Sequence, residues 1–228
     1  MRQAHLTIAR KARYATLGDG GAGLRQVWFV CHGYGQLAAN FLDLFASLDD
    51  GSRLLVAPEG LSRFYVDHEA RKVGASWMTS EDRLTDIAEY VAYLDRLHDV
   101  VFGDAPRDSA GPPALEAVSR DEVELVALGF SQGAATVSRW TAFGRARVDR
   151  LILWGGLVPP DLDLELHGAR LRAARLTLVV GEEDEYVSRD AVERTEVRLR
   201  EAGVPWERVT FPGGHRLDRK LLARLARA

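Results

Sequence analysis

Val123-Glu124-Leu125-Val126-Ala127-Leu128-Gly129-Phe130-Ser131-Gln132-Gly133-Ala134-Ala135-Thr136 is the stretch on which the fold turns. Its first half, Val123 to Leu128, is almost continuously apolar, the pattern of a central strand covered on both faces. Its last residues are small and open a helix predicted over Gln132 to Phe143. Between them Gly129-Phe130-Ser131-Gln132-Gly133 matches G-x-S-x-G in the strand-turn-helix context that sets a serine at the top of a sheet. A serine pinched into so sharp a turn takes strained backbone angles. The residues two positions either side must therefore lack side chains, and Gly129 and Gly133 do.

Working outward, further strand-like runs are predicted at Leu6 to Ala9, Ala12 to Thr16, Gln26 to Cys31, Arg53 to Ala57, Arg150 to Trp154, Leu176 to Val180 and Arg208 to Phe211. Helical periodicity separates many of them. Leu84, Ile87, Ala88, Val91, Leu94, His98 and Val101 recur at three- and four-residue steps through Glu81 to Phe102, with Thr79 or Ser80 as cap. Other helices are expected over Asn40 to Leu48, Arg189 to Ala202 and Arg216 to Ala226. Alternating strands and helices require an α/β fold with a mostly parallel central sheet and helices on both faces. Gly103 to Ser119, rich in Pro and Gly, reads as a surface loop, and Leu157 to His167 as a solvated loop in preference to a border of the cleft. Gly18-Asp19-Gly20-Gly21-Ala22-Gly23 fits G-x-G-x-x-G, but a strand follows it where a dinucleotide site needs a helix N-terminus. It reads as a turn between two strands.

The chain has 228 residues, 46% of them hydrophobic and 28% charged, with a mean hydropathy of -0.15. This is the composition of a single globular domain able to bury one sizeable core, which excludes disordered and collagen-like classes. Thirty basic against 33 acidic residues leave a net charge of -3. No positive field points to nucleic acid as a partner. Lys11, Lys72 and Lys220 are the only lysines, so arginine supplies nearly all the positive charge. A lone cysteine, Cys31, forms no internal disulfide and no thiolate cluster. Charges at Arg2, Arg10, Lys11 and Arg13 break up the first residues, so no signal peptide is expected, and no apolar run reaches a membrane span. A cytoplasmic location is the expectation.

A serine hydroxyl is a weak nucleophile near neutral pH and needs an imidazole to take its proton and a carboxylate to orient that imidazole. In a strand-turn-helix arrangement of this type the order along the chain is Ser, acid, His. Asp184 follows the strand-like run Leu176 to Val180, and His215 follows Arg208 to Phe211 in Phe211-Pro212-Gly213-Gly214-His215. His215 alone among the six histidines follows both Ser131 and Asp184. Charge developing on a carbonyl oxygen must be met by fixed N–H donors. The amide of Gln132, after the serine, is one; the amide of Tyr34 in Cys31-His32-Gly33-Tyr34-Gly35-Gln36, after the strand Gln26 to Cys31, is the other.

Together His32-Gly33-Tyr34-Gly35, Gly129-Phe130-Ser131-Gln132-Gly133, Gly181-x-x-Asp184-x-x-Val187 and Gly213-Gly214-His215 resemble the phospholipase/carboxylesterase family of small α/β-hydrolases, which includes carboxylesterases and acyl-protein thioesterases. The resemblance runs from Trp28 to the C-terminus. It implies a single α/β-hydrolase domain without a large cap, and a triad of Ser131, Asp184 and His215. Ser76-Trp77-Met78 looks like the family's apolar active-site stretch, with Trp77 and Met78 as candidate pocket residues. Ala134, Gln36 and Ser188 depart from it, standing where glycine, aspartate and proline are common.

The expected activity is hydrolysis of carboxylic esters with small or medium acyl chains through an acyl-enzyme. The alternatives are a thioesterase, an acyltransferase, a lysophospholipase-like hydrolase, or a binding protein on the same scaffold. The expected partner is a small-molecule ester, without nucleic acid or stable membrane insertion, and oligomerisation is left open. No metal or organic cofactor is implied, because H-E-x-x-H, paired-cysteine and P-loop patterns are missing.

Overall fold

Strands whose residues are apolar on both faces can be satisfied only between two helical layers, and such strands form the centre of this molecule. The computed structural model describes residues 2–21, 23–103 and 120–227. The strands in chain order are β1 (Tyr14–Leu17), β2 (Gln26–Cys31), β3 (Arg53–Pro58), β4 (Ser62–Asp67), β5 (Lys72–Ser76), β6 (Glu124–Phe130), β7 (Arg150–Trp154), β8 (Arg175–Gly181) and β9 (Trp206–Phe211). The helices are α1 (Ala38–Leu42), α2 (Arg83–Val101), α3 (Gln132–Phe143), α4 (Leu164–His167), α5 (Ala169–Ala173), α6 (Arg189–Glu201) and α7 (Arg219–Leu225).

Seven strands form one sheet in the order β1-β3-β2-β6-β7-β8-β9, and β4 and β5 form a separate hairpin. Every pair in the large sheet is parallel except β1 with β3. Alternation along each strand divides the interior in two. Val27, Phe29, Leu125, Ala127, Leu151 and Leu153 pack with α2 and α3 through Tyr90, Leu94, Val137 and Trp140. Trp28, Val30, Val126, Leu128, Ile152 and Trp154 pack on the other face with α1 and α7. Cys31 is fully buried in the first layer, where loss of solvent pushes its thiol pKa up, and it has no cysteine partner.

The chain leaves β2 for β3 on one side and later enters β6 on the other, so the order reverses between β2 and β6. Open α/β sheets present a crevice at such a reversal, beyond the carboxyl ends of the strands. The residues that follow β2 and β6 here are His32 to Gln36 and Ser131.

Several expectations are corrected. Leu6 to Ala9 is not a strand: β1 occupies the sheet edge beside β3, and Leu6 is 86% exposed. The β4–β5 hairpin carries little apolar patterning, since most of β4 faces solvent. Helix α2 begins at Arg83 behind Asp82, whose φ of 49° interrupts the helix, so neither Thr79 nor Ser80 caps it. The predicted helix over Asn40 to Leu48 is α1 followed by a 3-10 stretch, Asp43–Leu48. Leu157 to His167 is not a solvated loop. Val158, Leu162 and Leu164 are buried, Asp161 bonds Arg83 and Arg139 at 2.8 Å each, and Asp163 caps α4. The turn predicted at Gly18 to Gly23 does join two strands, β1 and β2. The predicted surface loop after Gly103 lies outside the described residues. No described helix is long and apolar enough to cross a membrane.

Candidate active site

Ser131 joins β6 to α3 with φ 53° and ψ -117°. A non-glycine residue in that region is strained by about 1–3 kcal/mol and persists only where its surroundings over-determine it. They do so here. Ser131 N donates to Trp154 O at 2.8 Å and Ser131 O accepts from Ala134 N at 3.0 Å. A Cβ on Gly129 would collide with the Gly133 carbonyl, and one on Gly133 with the Cys31 carbonyl, so both glycines are sterically required.

The carboxyl end of β8 turns at Gly181 into the loop bearing Asp184, and β9 ends at Phe211 before the loop bearing His215. The two loops are tied by Glu182 N to Phe211 O and Glu183 N to Gly213 O, both 3.0 Å. Asp184 has a side chain only 1% exposed. Its Oδ1 accepts from the amides of Tyr186 at 2.9 Å and Val187 at 3.0 Å. Its Oδ2 lies 2.9 Å from His215 Nδ1. An ionised carboxylate only accepts, so Nδ1 carries the proton and Nε2 is left as acceptor. Nε2 lies 2.9 Å from Ser131 Oγ. The imidazole rests on the Phe130 ring, centroids 4.9 Å apart, and against the Tyr186 ring at 4.7 Å.

The loop after β2 stands against the serine: a Cβ on Gly33 would be 3.2 Å from Ser131 Cβ. Within it, Gly33 N donates to Gln36 Oε1 at 2.8 Å, Gly35 N to Ala75 O at 2.9 Å, and Gln36 N to Gly33 O at 3.3 Å. Among the described residues, that pattern leaves the amides of Tyr34 and Gln132 without an acceptor. Gln36, a departure from the family's pattern, thus folds back to brace the loop. Ser188, another, caps α6 through Ala191 N.

Two side chains that sequence reasoning left unused hold this geometry. His32 is fully buried; its Nε2 accepts from Gly60 N at 3.0 Å, so Nδ1 carries the proton and donates to Gly33 O at 2.8 Å. Burial lowers its pKa, against a smaller upward pull from the Gly33 bond and Glu59. The Gln132 side chain accepts from Trp77 N at 3.0 Å and donates to Met78 O at 2.8 Å, fixing Ser76 to Met78 beside α3. The clue to both was their place inside the His32-Gly33-Tyr34-Gly35 and Gly129 to Gly133 motifs.

The two candidate pocket residues differ. Trp77 is 2% exposed, packs tilted against the His32 ring at 5.1 Å and donates Nε1–H to His32 O at 2.9 Å, so it lies in the core beneath the loop. Met78 is half-buried against the same core, with its sulfur 3.4 Å from Arg139 Nη1.

No protein-family model and no curated protein sequence matches the chain. Solved structures do match in shape. Acyl-protein thioesterase 2 of Zea mays aligns with a TM-score of 0.69 at 16% identity, covering 95% of this chain and 97% of that one. The Mesorhizobium loti carboxylesterase aligns at 0.68 and 19% identity over 95% and 93% of the two chains. The Bacillus cereus carboxylesterase aligns at 0.65 and 16% over 95% and 92%. The chain has the α/β-hydrolase fold that these esterases and this thioesterase share.

Proposed function

We propose that the protein is a serine ester hydrolase working through an acyl-enzyme. The observation that carries this reading is the continuous hydrogen-bonded line from Asp184 through His215 to Ser131 Oγ, next to the two unengaged amides of Tyr34 and Gln132. Ser131 Oγ attacks the ester carbonyl while His215 Nε2 takes its proton. The carbonyl oxygen, now negative, accepts from the Tyr34 and Gln132 amides. His215 then gives the proton to the departing alcohol, and Asp184 stabilises the imidazolium between the two steps. Water, deprotonated by the same imidazole, releases the acid and regenerates Ser131. The substrate is a small-molecule carboxylic ester of small or medium acyl chain. Every step uses side chains and amides of this chain, with no cofactor assigned.

Hydrolysis of chromogenic esters of graded acyl length tests the reading, with thioesters alongside. The expected result is turnover by the wild type that falls by roughly 10⁴- to 10⁶-fold in Ser131→Ala and comparably in His215→Ala. Turnover unchanged in a folded Ser131→Ala protein would falsify it. Faster release from thioesters than from oxygen esters assigns the same site to thioesterase chemistry.

A further inference from the structure

Whichever ester is cleaved, the alcohol oxygen must come within hydrogen-bond reach of His215 Nε2 to collect its proton, about 2.6–3.2 Å. The alcohol portion therefore runs along the imidazole, away from the acyl chain and from the two amides. One side of the imidazole is closed by Phe130 in the core, and a Cβ on Gly155 would stand 3.1 Å from His215 Cε1. The other neighbour is Tyr186, ring centroid 4.7 Å away at 58° to the imidazole.

Tyr186 is unusual among the aromatic residues in being 74% exposed while its backbone is fixed, its amide donating to Asp184 Oδ1 at 2.9 Å. Tyr34, on the amide side of the serine, is the other exposed ring nearby, but it already packs, tilted, against Phe64 at 4.9 Å. Tyr186 thus offers an exposed aromatic face, on a fixed backbone, beside the path of the departing alcohol, and its one ring–ring contact among the described residues is with His215. A flat aromatic group gains offset or edge contacts there that a flexible alkyl group of similar size does not.

We propose that Tyr186 is the leaving-alcohol wall of the site and selects esters whose alcohol carries an aromatic ring. The inference rests on Ser131 as nucleophile and His215 as proton donor. The Tyr186 ring touches the alcohol only while it remains esterified and as it departs. It therefore acts on formation of the acyl-enzyme and not on its hydrolysis.

The test compares benzyl and butyl esters of one acyl group, whose alcohols are of similar basicity, in the wild type, Tyr186→Phe and Tyr186→Ala. The wild type is expected to favour benzyl in kcat/KM. Tyr186→Ala should lower the benzyl-to-butyl ratio roughly threefold to tenfold, the worth of one aromatic pair, and Tyr186→Phe should keep it. Hydrolysis of the preformed acyl-enzyme, followed after a burst from the matching 4-nitrophenyl ester, should run at the same rate in the wild type and Tyr186→Phe, and any slowing in Tyr186→Ala should be smaller than its loss on the benzyl ester. Equal loss on both esters with slowed acyl-enzyme hydrolysis would overturn the proposal, because the ring then serves only to hold His215. So would a wild type that shows no benzyl preference, or a ratio that Tyr186→Ala leaves unchanged. Ser131→Ala in the same assay separates these outcomes from failure of the serine mechanism itself.

Discussion

Any side chain at position 155 meets the imidazole. A Cβ there would lie 3.1 Å from His215 Cε1 and 3.2 Å from Nδ1, at a backbone φ of 56° that already favours glycine. Gly51 separates the two effects, with φ 78° and nothing within 4 Å of its would-be Cβ. Gly51→Ala should cost about 1 kcal/mol in urea unfolding and leave turnover alone. Gly155→Ala should cost about as much or more and also reduce turnover, by displacing the ring from Asp184 and Ser131. Equal turnover in the two variants would remove the imidazole contact as the explanation. His32 gives a second prediction at this scale. Burial disfavours its charged form, so its folded pKa lies below the ordinary 6.5. As pH falls through that value the unfolded chain takes up the proton first, and the contribution of His32 to stability, full above it, is lost. The slope cannot exceed about 1.4 kcal/mol per pH unit for this one group. Unfolding free energies at pH 7.5 and 5.5 should therefore converge in His32→Gln relative to wild type. That Ser131, Asp184 and His215 come together was legible because each sits in a short motif whose glycines answer a local steric demand. The service of His32 and Gln132 was not, because their partners, Gly60, Trp77 and Met78, come together only through tertiary packing.

At the scale of elements, α3 carries Ser131 at its N-terminus and is pinned at both ends to its neighbours. Near its start Gln132 grips Trp77 and Met78. Beyond its end, buried Asp95 of α2 accepts from Trp140 Nε1 at 2.9 Å and from Arg145 N at 2.9 and 3.0 Å. Replacing Asp95 by Ala leaves the buried Trp140 Nε1 and the part-buried Arg145 amide unpaired, a loss of about 2–4 kcal/mol. Asp95→Asn, which keeps one acceptor, should lose less. Denaturant midpoints of the two variants at neutral pH measure the difference, and an alanine variant as stable as the asparagine one would contradict it. The elements themselves were readable in proportion to how fully they are enclosed. β2, β3, β6 and β7 show unbroken apolar runs, and β8 one interrupted only by Thr177, because helices cover both faces. β4 and β5 escaped notice because β4 is largely exposed and Gly74 interrupts β5. Helix α4 was hidden by Asp161, Asp163 and Glu165, whose alternation reads as solvated although Leu162 and Leu164 between them are buried. Leu6 to Ala9 has a strand's local pattern, yet pattern alone does not supply a partner edge.

At the scale of the whole molecule, one large sheet stands between the two cores. Residues of one strand belong to opposite layers, Trp28 to one and Val27 and Phe29 to the other, so neither layer can open without unpairing strands that the other needs. The serine sits at the reversal between β2 and β6, where loops from both halves of the sheet meet, so the site draws on both halves. The five tryptophans report on both layers: Trp77, Trp140 and Trp206 on one, Trp28 and Trp154 on the other. If the chain is one domain, equilibrium unfolding should be a single transition. Trp28→Phe and Trp140→Phe should each remove part of the fluorescence change while the remaining signal keeps the same midpoint as far-ultraviolet circular dichroism, apart from the stability lost by the substitution. Turnover should vanish along the same curve. Two midpoints, with activity following only one of them, would show that the layers melt independently and that the sheet does not bind them into one domain.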